Sequence, residues 1–192
     1  MDTEGLKRWF EKGWIVKSIT RLAGMLSASL LLMVGSAGNS HASVSAPVSS
    51  VIYNMNSNKC LSVPAASQGF EYLNQFSCGI YPDQTWTRDW VAVWGGTTWY
   101  KIVNDNSGLC LSVDKASQED YARATQFPCG SPSLHPDQYW SFINYDSGTK
   151  SYQLRNRNSG KCLAIQDGSK EETAWAIQFT CLNYKDHFWL VP

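Results

Sequence analysis

Polar and large apolar residues alternate along much of the chain beyond residue 50. The segments "WYKIVN" at residues 99–104 and "SYQLRN" at residues 151–156 have a period of two, which is typical of β-strands. Turn-forming Asn, Ser and Gly residues follow each of them directly. The segment at residues 90–103 indicates two strands joined by a hairpin at Gly95 and Gly96. The pattern therefore predicts strands rather than helices.

Three stretches of the chain repeat one another in sequence. In each of them an Asn-Ser pair precedes a first cysteine and a Gln-Phe pair precedes a second cysteine. The first cysteines lie 50 and 52 residues apart, and the second cysteines lie 51 and 52 residues apart. A fixed period of this length indicates three copies of one structural unit, at about residues 50–98, 99–149 and 150–192.

About fifty residues per unit leave room for roughly four strands at the spacing usual in all-β proteins. Three such units around a pseudo-threefold axis form a β-trefoil, which is the predicted fold. A propeller of three blades is a weaker alternative, because propellers typically need at least four blades. A closed trefoil barrel exposes no long sheet edge, so we expect a monomer.

Residues 1–42 have the features of a secretory signal peptide. Lysines and arginines precede an apolar run at residues 22–34, and small residues lead up to Ala42. The run is 13 residues long, whereas a helix that spans a bilayer needs about 20. We therefore predict cleavage near Ala42 and a secreted protein. Cleavage after Ala37 and an uncleaved membrane anchor are the alternatives.

Cleavage after Ala42 leaves 150 of the 192 residues, the usual length of a single domain. This part carries 11 Lys and Arg against 13 Asp and Glu, so its formal charge is about −2. A near-neutral balance argues against nucleic acid or an anionic membrane as a partner, since both require a basic surface. Seven of the nine Trp and all nine Tyr lie here, a composition that suits sugar binding as well as core packing.

The six cysteines are expected to be oxidised, because an export signal precedes them. Six cysteines allow fifteen pairings, but the repeat favours one pair in each unit. The predicted pairs are Cys60–Cys78, Cys110–Cys129 and Cys162–Cys181. Each closes a loop of about 19 residues, which the chain-entropy model values at roughly 3 kcal/mol.

Little in the sequence supports catalysis, a metal site or a cofactor. Beyond the leader only His135 and His187 remain, in different repeats, and no hydrolase, zinc-protease or C-x-x-C motif occurs. The disulfides use every cysteine. We therefore predict a protein that is not an enzyme and has no cofactor.

The repeated residues resemble those of the ricin-type β-trefoil lectins. They are the motifs "NKCLSV", "GLCLSV" and "GKCLAI", the Gln-Phe-x-Cys sequences, and the Gln-x-Trp closures at residues 84–86 and 138–140. The third closure departs from the pattern, since His187 replaces the glutamine. The resemblance covers residues 43–192 and implies binding of glycans or polysaccharide. It also implies that Trp86, Trp140 and Trp189 pack in the core.

Each repeat of that family can hold one shallow sugar site with three characteristic positions. An aromatic platform lies two residues before the second cysteine, and here these positions are Phe76, Phe127 and Phe179. An Asn precedes the Gln-x-Trp motif, and here the residues are Asp83, Asp137 and Asp186. An Asp follows the first cysteine by two residues, and here the residues are Ser62, Ser112 and Ala164.

No repeat keeps the family's carboxylate after its first cysteine. A serine offers a weaker partner to sugar hydroxyls than a carboxylate does, and an alanine offers none. Repeat 2 has a substitute in Asp114, which lies two positions further along the same strand face. We therefore expect the best site in repeat 2, with Ser112, Asp114, Phe127, Asp137 and Gln138. Repeat 1 comes second, with Ser62, Phe76, Asp83 and Gln84, and repeat 3 is the weakest.

Several of these residues also have structural interpretations. The three phenylalanines are either sugar platforms or buried barrel residues, and the aspartates either bind sugar or stabilise turns. A second group of aromatic residues lies in the loops between paired cysteines and suits the side walls of a pocket: Tyr72, Tyr121 and Trp175. A third group forms either an exposed strip or packing beneath a hairpin: Trp90, Trp94 and Trp99.

Two functions of different classes remain. The first is a secreted carbohydrate-binding protein, and the second is a protein-binding trefoil such as a protease inhibitor. An inhibitor concentrates its site on one loop, whereas a sugar binder repeats its site positions in every unit. The threefold repetition favours sugar, although the missing carboxylate weakens that interpretation.

Overall fold

The computed structural model describes residues 48–191, and the predicted leader at residues 1–42 lies outside this range. The regular structure in the described part consists of strands and 3₁₀ turns, with no α-helix. The strands are β1 Val48–Val51, β2 Tyr53–Asn54, β3 Cys60–Ser62, β4 Glu71–Tyr72, β5 Asn74–Phe76, β6 Thr85–Trp94, β7 Thr97–Asn104, β8 Cys110–Val113, β9 Ala124–Phe127, β10 Trp140–Asp146, β11 Ser151–Asn156, β12 Cys162–Ile165, β13 Ala176–Phe179 and β14 Trp189–Leu190.

Two sets of 3₁₀ turns recur in the three repeats. One set follows the first-cysteine strand, at Pro64–Ala66, Asp114–Ala116 and Gln166–Gly168. The other set directly precedes the closure tryptophan, at Pro82–Gln84, Pro136–Gln138 and Lys185–His187. Within residues 48–191, no helix has the length and apolar character that crossing a membrane requires.

Six strands form a closed antiparallel barrel. The ring runs β1·β6, β6·β7, β7·β10, β10·β11, β11·β14 and β14·β2. Only Ile52 separates β1 from β2, so these two segments act as one bent strand and close the ring. Closure removes the free edges that would otherwise invite aggregation.

Three two-stranded hairpins cap the barrel. They are β3·β5, β8·β9 and β12·β13, and in each hairpin the first cysteine lies opposite the platform phenylalanine. Each hairpin joins a barrel strand through its first cysteine. Six barrel strands and three hairpins in threefold repetition make up the predicted β-trefoil.

The core is built from equivalent residues of the three repeats. The closure tryptophans Trp86, Trp140 and Trp189 are at most 1% exposed. Their indole Nε1 atoms donate hydrogen bonds to the carbonyl oxygens of Leu61, Leu111 and Leu163, at 3.1, 3.0 and 2.9 Å. Burial of a large aromatic side chain with its polar atom paired stabilises the fold without leaving an unsatisfied donor.

The repeated asparagines hold the turns together. Asn54, Asn104 and Asn156 are buried, and each side-chain amide donates to the backbone carbonyl of a site aspartate at 2.6–2.8 Å. Their side-chain oxygens also accept backbone N–H groups two and three residues further on. These bonds account physically for the asparagine two positions before each Asn-Ser pair.

The structure contains three disulfides, with the pairing that the repeat predicts. They are Cys60–Cys78, Cys110–Cys129 and Cys162–Cys181. Each ties the first strand of a hairpin to the loop that leads into the closure turn. The bridges therefore brace the region around each predicted sugar site.

Candidate functional site

Each repeat has a cavity between its hairpin and its closure turn, and the three cavities use equivalent positions. Their volumes are about 350 Å³ in repeat 1, about 400 Å³ in repeat 2 and about 570 Å³ in repeat 3. The platform phenylalanine, the residue two after the first cysteine and the aspartate of the closure turn line each of them. The structure thus brings together the three sets of positions that the sequence singled out.

The platform phenylalanines lie on the surface rather than inside the barrel. Phe76 and Phe127 are 38% and 39% exposed, and Phe179 is half-buried. Phe76 packs edge-on against Tyr81 at a ring separation of 6.3 Å, and Phe127 packs against His135 at 5.9 Å. An aromatic face held by a neighbouring ring is a suitable platform for the apolar face of a sugar.

One wall of every cavity comes from the preceding repeat. Phe70 of repeat 1 lines the cavity of repeat 2, Tyr121 of repeat 2 lines that of repeat 3, and Thr173 of repeat 3 lines that of repeat 1. All three lie eight residues before a second cysteine. Each site is therefore completed across a boundary between repeats.

The buried glutamines of the Gln-Phe pairs hold these neighbouring loops in place. Gln126, for example, donates through Nε2 to the carbonyl oxygens of Ser67 and Gly69, at 2.8 and 2.6 Å, directly before Phe70. Gln75 and Gln178 make the equivalent pairs of bonds. A repeated core glutamine thus positions a variable wall residue.

The floor of the first two cavities contains a buried carboxylate and a buried hydroxyl. Ser62 Oγ donates to Asp83 Oδ2 at 2.6 Å, and Val63 N donates to the same oxygen at 3.2 Å. Ser112 Oγ and Val113 N bind Asp137 Oδ2 in the same way. The serine that replaces the family's carboxylate therefore orients another carboxylate, which the closure turn supplies.

Two buried polar atoms, on residues that line these cavities, have no protein partner within residues 48–191. They are Asp137 Oδ1 in repeat 2 and Asn74 Oδ1 in repeat 1. Asp137 is 2% exposed and Asn74 is 5% exposed, and each lines its cavity. An unpaired acceptor at such a place costs free energy until a ligand or water donates to it.

The cavity of repeat 3 has a different floor. Ala164 and Ile177 occupy the places that Ser112 and Thr125 hold in repeat 2. Within the described part of the chain no serine hydroxyl reaches Asp186. Burial raises the pKa of its carboxyl group, although the neighbouring His187 acts in the opposite direction. Burial also lowers the pKa of His187, which lies 3.7 Å from Asp186 through Nε2 and Oδ2.

The structure places Gln84 and Gln138 behind the sites. Both are fully buried, and each binds the loop on either side of a second cysteine through both amide atoms. Gln84 still lines its cavity, whereas Gln138 does not. Asp114 lines the cavity of repeat 2 at the start of a 3₁₀ turn, with its Oδ2 3.4 Å from the Tyr72 hydroxyl.

Tyr72 and Trp175 lie beside a cation and do not line any of the three cavities described here for the repeats. The Arg123 guanidinium is 5.1 Å from the Tyr72 ring centroid and 4.2 Å from that of Trp175. All three stand six residues before a second cysteine, so they occupy equivalent places around the pseudo-threefold axis. Tyr121, which the sequence also indicated, does line a cavity.

The tryptophans of the β6–β7 hairpin do not form one strip. Trp90 is 63% exposed and Trp99 is 8% exposed, while Trp94 is half-buried against Tyr139 and Arg157. In the part of the chain that the structure describes, no group of three His, Cys, Asp or Glu residues is arranged to hold a metal ion.

Several wall residues were not predicted from the sequence. They are Phe70 and Thr173 from neighbouring repeats, and Tyr81, His135 and Tyr184 from the closure loops. The last three share a signal, since each stands two residues before a site aspartate. Alignment of the repeats by the aspartate would have found them.

The sequence matches the model of the ricin-type β-trefoil lectin domain-like family over residues 43–127, 82–179 and 136–191. These overlapping matches cover the three repeats. No curated protein matches the sequence.

Solved structures with the same fold include designed and natural proteins. The designed threefold-symmetric protein ThreeFoil is 27% identical, with a TM-score of 0.66 over 74% of this chain and 96% of its own. A ricin B-like lectin from Macrolepiota procera, solved with lactose, is 13% identical, with a TM-score of 0.61 over 77% of this chain and 96% of its own. At that identity the likeness shows the fold alone.

A third structure belongs to a larger protein. An exo-β-1,3-galactanase from Clostridium thermocellum is 27% identical and has a TM-score of 0.64. The likeness covers 73% of this chain and 29% of the galactanase. This chain therefore spans less than a third of that enzyme.

Proposed function

Because this chain belongs to the ricin-type β-trefoil lectin domain-like family, we propose that it is a carbohydrate-binding protein rather than an enzyme. The observation that carries the proposal is the threefold cavity, with an aromatic platform on one side and a buried carboxylate on its floor. Stacking surface and fixed hydrogen-bond acceptors are the two features that sugar recognition requires.

The residues of a site have separate roles in this proposal. The phenylalanine ring packs against the apolar face of the sugar, and Oδ1 of the aspartate accepts a sugar hydroxyl. The serine, Ser62 or Ser112, holds the other carboxylate oxygen and so fixes the direction of the free one. Gln84 and Gln138 act behind the site, since both of their amide atoms hold the loop.

We rank repeat 2 first, repeat 1 second and repeat 3 last. Repeat 2 offers the unpaired Asp137 Oδ1, a second carboxylate in Asp114 and the additional wall residue Phe70. Repeat 1 offers the unpaired Asn74 Oδ1 with Asp83, but its neighbouring wall is only Thr173. The floor of repeat 3 has no hydroxyl to orient its aspartate.

Sites this shallow are expected to have monovalent dissociation constants near 1 mM, about −4 kcal/mol. Useful retention on a polysaccharide then depends on two sites of the same molecule engaging one chain at once. The galactanase neighbour makes β-1,3-linked galactan the first polysaccharide to test.

We also propose that the protein is exported, loses residues 1–42 and acts as a monomer. Three disulfides suit an oxidising compartment. N-terminal sequencing of secreted material is expected to begin at or near Ser43. An intact N-terminus in a membrane fraction would favour the anchor instead.

A glycan array with the oxidised protein tests the carbohydrate proposal. We expect retention on one class of neutral glycan, with loss after reduction of the disulfides. A sample that is reduced and then refolded is the control for irreversible damage. It should regain its three disulfides and its glycan retention. Retention of no glycan, together with tight binding to a protein such as a protease, would support the protein-binding alternative.

A further inference from the structure

One position next to the closure tryptophans departs from the threefold pattern of the barrel. The residue two positions after each closure tryptophan is Arg88, Phe142 or Val191. Residues two apart on a strand share a face, so Arg88 and Phe142 lie on the tryptophan side of the barrel. Val191 directly follows β14 and packs against the core. Two repeats place an apolar side chain at this position, and repeat 1 places a cation there.

The pairing of strands confirms that Arg88 faces inward. Arg88 lies directly opposite Ile102 in the β6·β7 ladder, and Ile102 belongs to the hydrophobic core. Directly opposite residues of a ladder share a face. The guanidinium carbon lies 5.5 Å from the ring centroid of Tyr100 and 5.2 Å from that of Phe142. Two aromatic rings therefore hold the cation at this end of the barrel.

No carboxylate compensates this charge within residues 48–191, where the ion pairs involve other residues. The adjacent Asp89 lies opposite Lys101, on the other face of the same ladder. Asp146, at the end of β10, instead accepts hydrogen bonds from Gly148 and Thr149. Among the described residues Arg88 thus has no carboxylate partner, and its guanidinium N–H groups can bind an anionic ligand.

A cavity of about 590 Å³ adjoins Arg88, away from the three sites described above. Arg155 also lines this cavity; its guanidinium lies over the Trp99 ring at 5.9 Å and likewise has no carboxylate partner in residues 48–191. The lining also includes four residues that carry hydroxyl groups, namely Thr97, Thr98, Tyr100 and Tyr152.

We propose that this cavity binds the anionic group of an acidic saccharide, namely the carboxylate of a uronic acid or a sulfate ester. A guanidinium presents parallel N–H donors that match a carboxylate or sulfate, and such charge-assisted bonds are the stronger kind. Partial burial of two unpaired cations costs free energy that a bound anion offsets. The site is separate from the three cavities of the proposed function, so either can fail without the other.

The test is a titration of the full oxidised chain with tetragalacturonate and with its methyl ester, which has the same sugars without the charge. We expect the charged form to bind and the ester to bind at least tenfold more weakly. Arg88→Met keeps the apolar stem and removes the charge, and it is expected to lose at least tenfold in affinity. Arg88→Lys, which keeps the charge without the planar fork, is expected to fall between.

Lys101→Met is the matched control, since it removes one positive charge from the other face of the same ladder. Lys101→Met is expected to bind tetragalacturonate like the parent. Retention of neutral glycans is expected to be unchanged in Arg88→Met and in Lys101→Met. A sulfated disaccharide titrated in parallel decides which anion is preferred. Equal affinity for tetragalacturonate and its ester, equal binding by the parent and Arg88→Met, or no binding of either charged probe would overturn the proposal.

Discussion

The cavities of repeat 2 and repeat 3 have the same backbone plan and different chemistry. Both have a platform phenylalanine, a neighbouring aromatic wall and an aspartate on the closure turn. In repeat 2 Ser112 binds the aspartate, whereas in repeat 3 Ala164 leaves the equivalent aspartate without a hydroxyl. One oxygen atom on the first strand therefore separates a carboxylate that a serine orients from one that no such serine reaches.

The closure turns of these two repeats differ in a second way. Gln138 accepts from Gly130 N at 2.7 Å and donates to the Pro128 carbonyl at 2.9 Å. His187 makes only the first kind of contact, accepting from Leu182 N at 3.5 Å. Repeat 3 thus keeps the fold with one polar contact fewer. The comparison teaches that the scaffold tolerates these losses, whereas we expect the proposed sugar site to be weakened by them.

The largest expected effect is the difference in glycan affinity between alanine variants of Asp137 and Asp186. Asp137→Ala is expected to lower the affinity of the chain for its glycan at least tenfold, about 1.4 kcal/mol, because the sugar loses a charged acceptor. Asp186→Ala is expected to leave that affinity within twofold of the parent. Titrations followed by NMR, with thermal melts of both variants to verify folding, make the measurement.

Asp137→Asn supplies the isosteric version, which keeps the shape of the side chain and removes its charge. An intermediate affinity is expected for it. Equal affinities in Asp137→Ala and Asp186→Ala would remove the ranking of the repeats and favour the protein-binding alternative.

The fold follows from the sequence because its signals recur three times. Alternating strands, the cysteine spacing and the closure tryptophans all have the same period, and three copies of about fifty residues permit few architectures. The platform positions followed from the family resemblance. That the Phe76 and Phe127 rings lie at the surface required the structure, because burial of an aromatic residue cannot be read from its spacing.

The wall residues from neighbouring repeats could not be predicted from the sequence, for a different reason. Phe70 and Thr173 complete cavities of other repeats, and a sequence does not show which loops meet across a repeat boundary. Tyr72 and Trp175 differ from these wall residues by two positions, yet they pack on Arg123 at the axis. A shift of two residues along one loop separates a residue of the axis from a residue of a site.

A smaller effect is expected when the missing hydroxyl is added to repeat 3. In Ala164→Ser the new hydroxyl should donate to Asp186, as Ser62 donates to Asp83. A hydrogen bond to the charged form lowers a carboxyl pKa, so we expect the pKa of Asp186 to move down towards its ordinary value. Titration of the carboxyl carbon by NMR measures the change.

The same substitution is expected to raise the glycan affinity of repeat 3 several-fold, since a typical hydrogen bond contributes about 1 kcal/mol. Ala164→Val is the control, because it adds volume without a donor and should give neither change. An unaltered pKa of Asp186 in Ala164→Ser would show that the serine does not orient the aspartate.

The smallest effect concerns the closure turn. His187→Gln is expected to restore the second loop contact and raise the free energy of unfolding at neutral pH by about 1 kcal/mol.

His187→Gln should also remove a pH dependence of the free energy of unfolding. Burial lowers the pKa of His187, with Asp186 opposing, so the folded chain binds fewer protons at this residue than the unfolded chain does. The parent should therefore lose stability as the pH falls below about 6.5, towards the lowered pKa. Asp186, with its raised pKa, acts in the opposite direction. Thermal melts at about pH 7.5 and pH 5.5, with His135→Gln as the matched control, measure the difference. An identical pH dependence in His187→Gln and the parent would show that this histidine does not limit the stability of repeat 3.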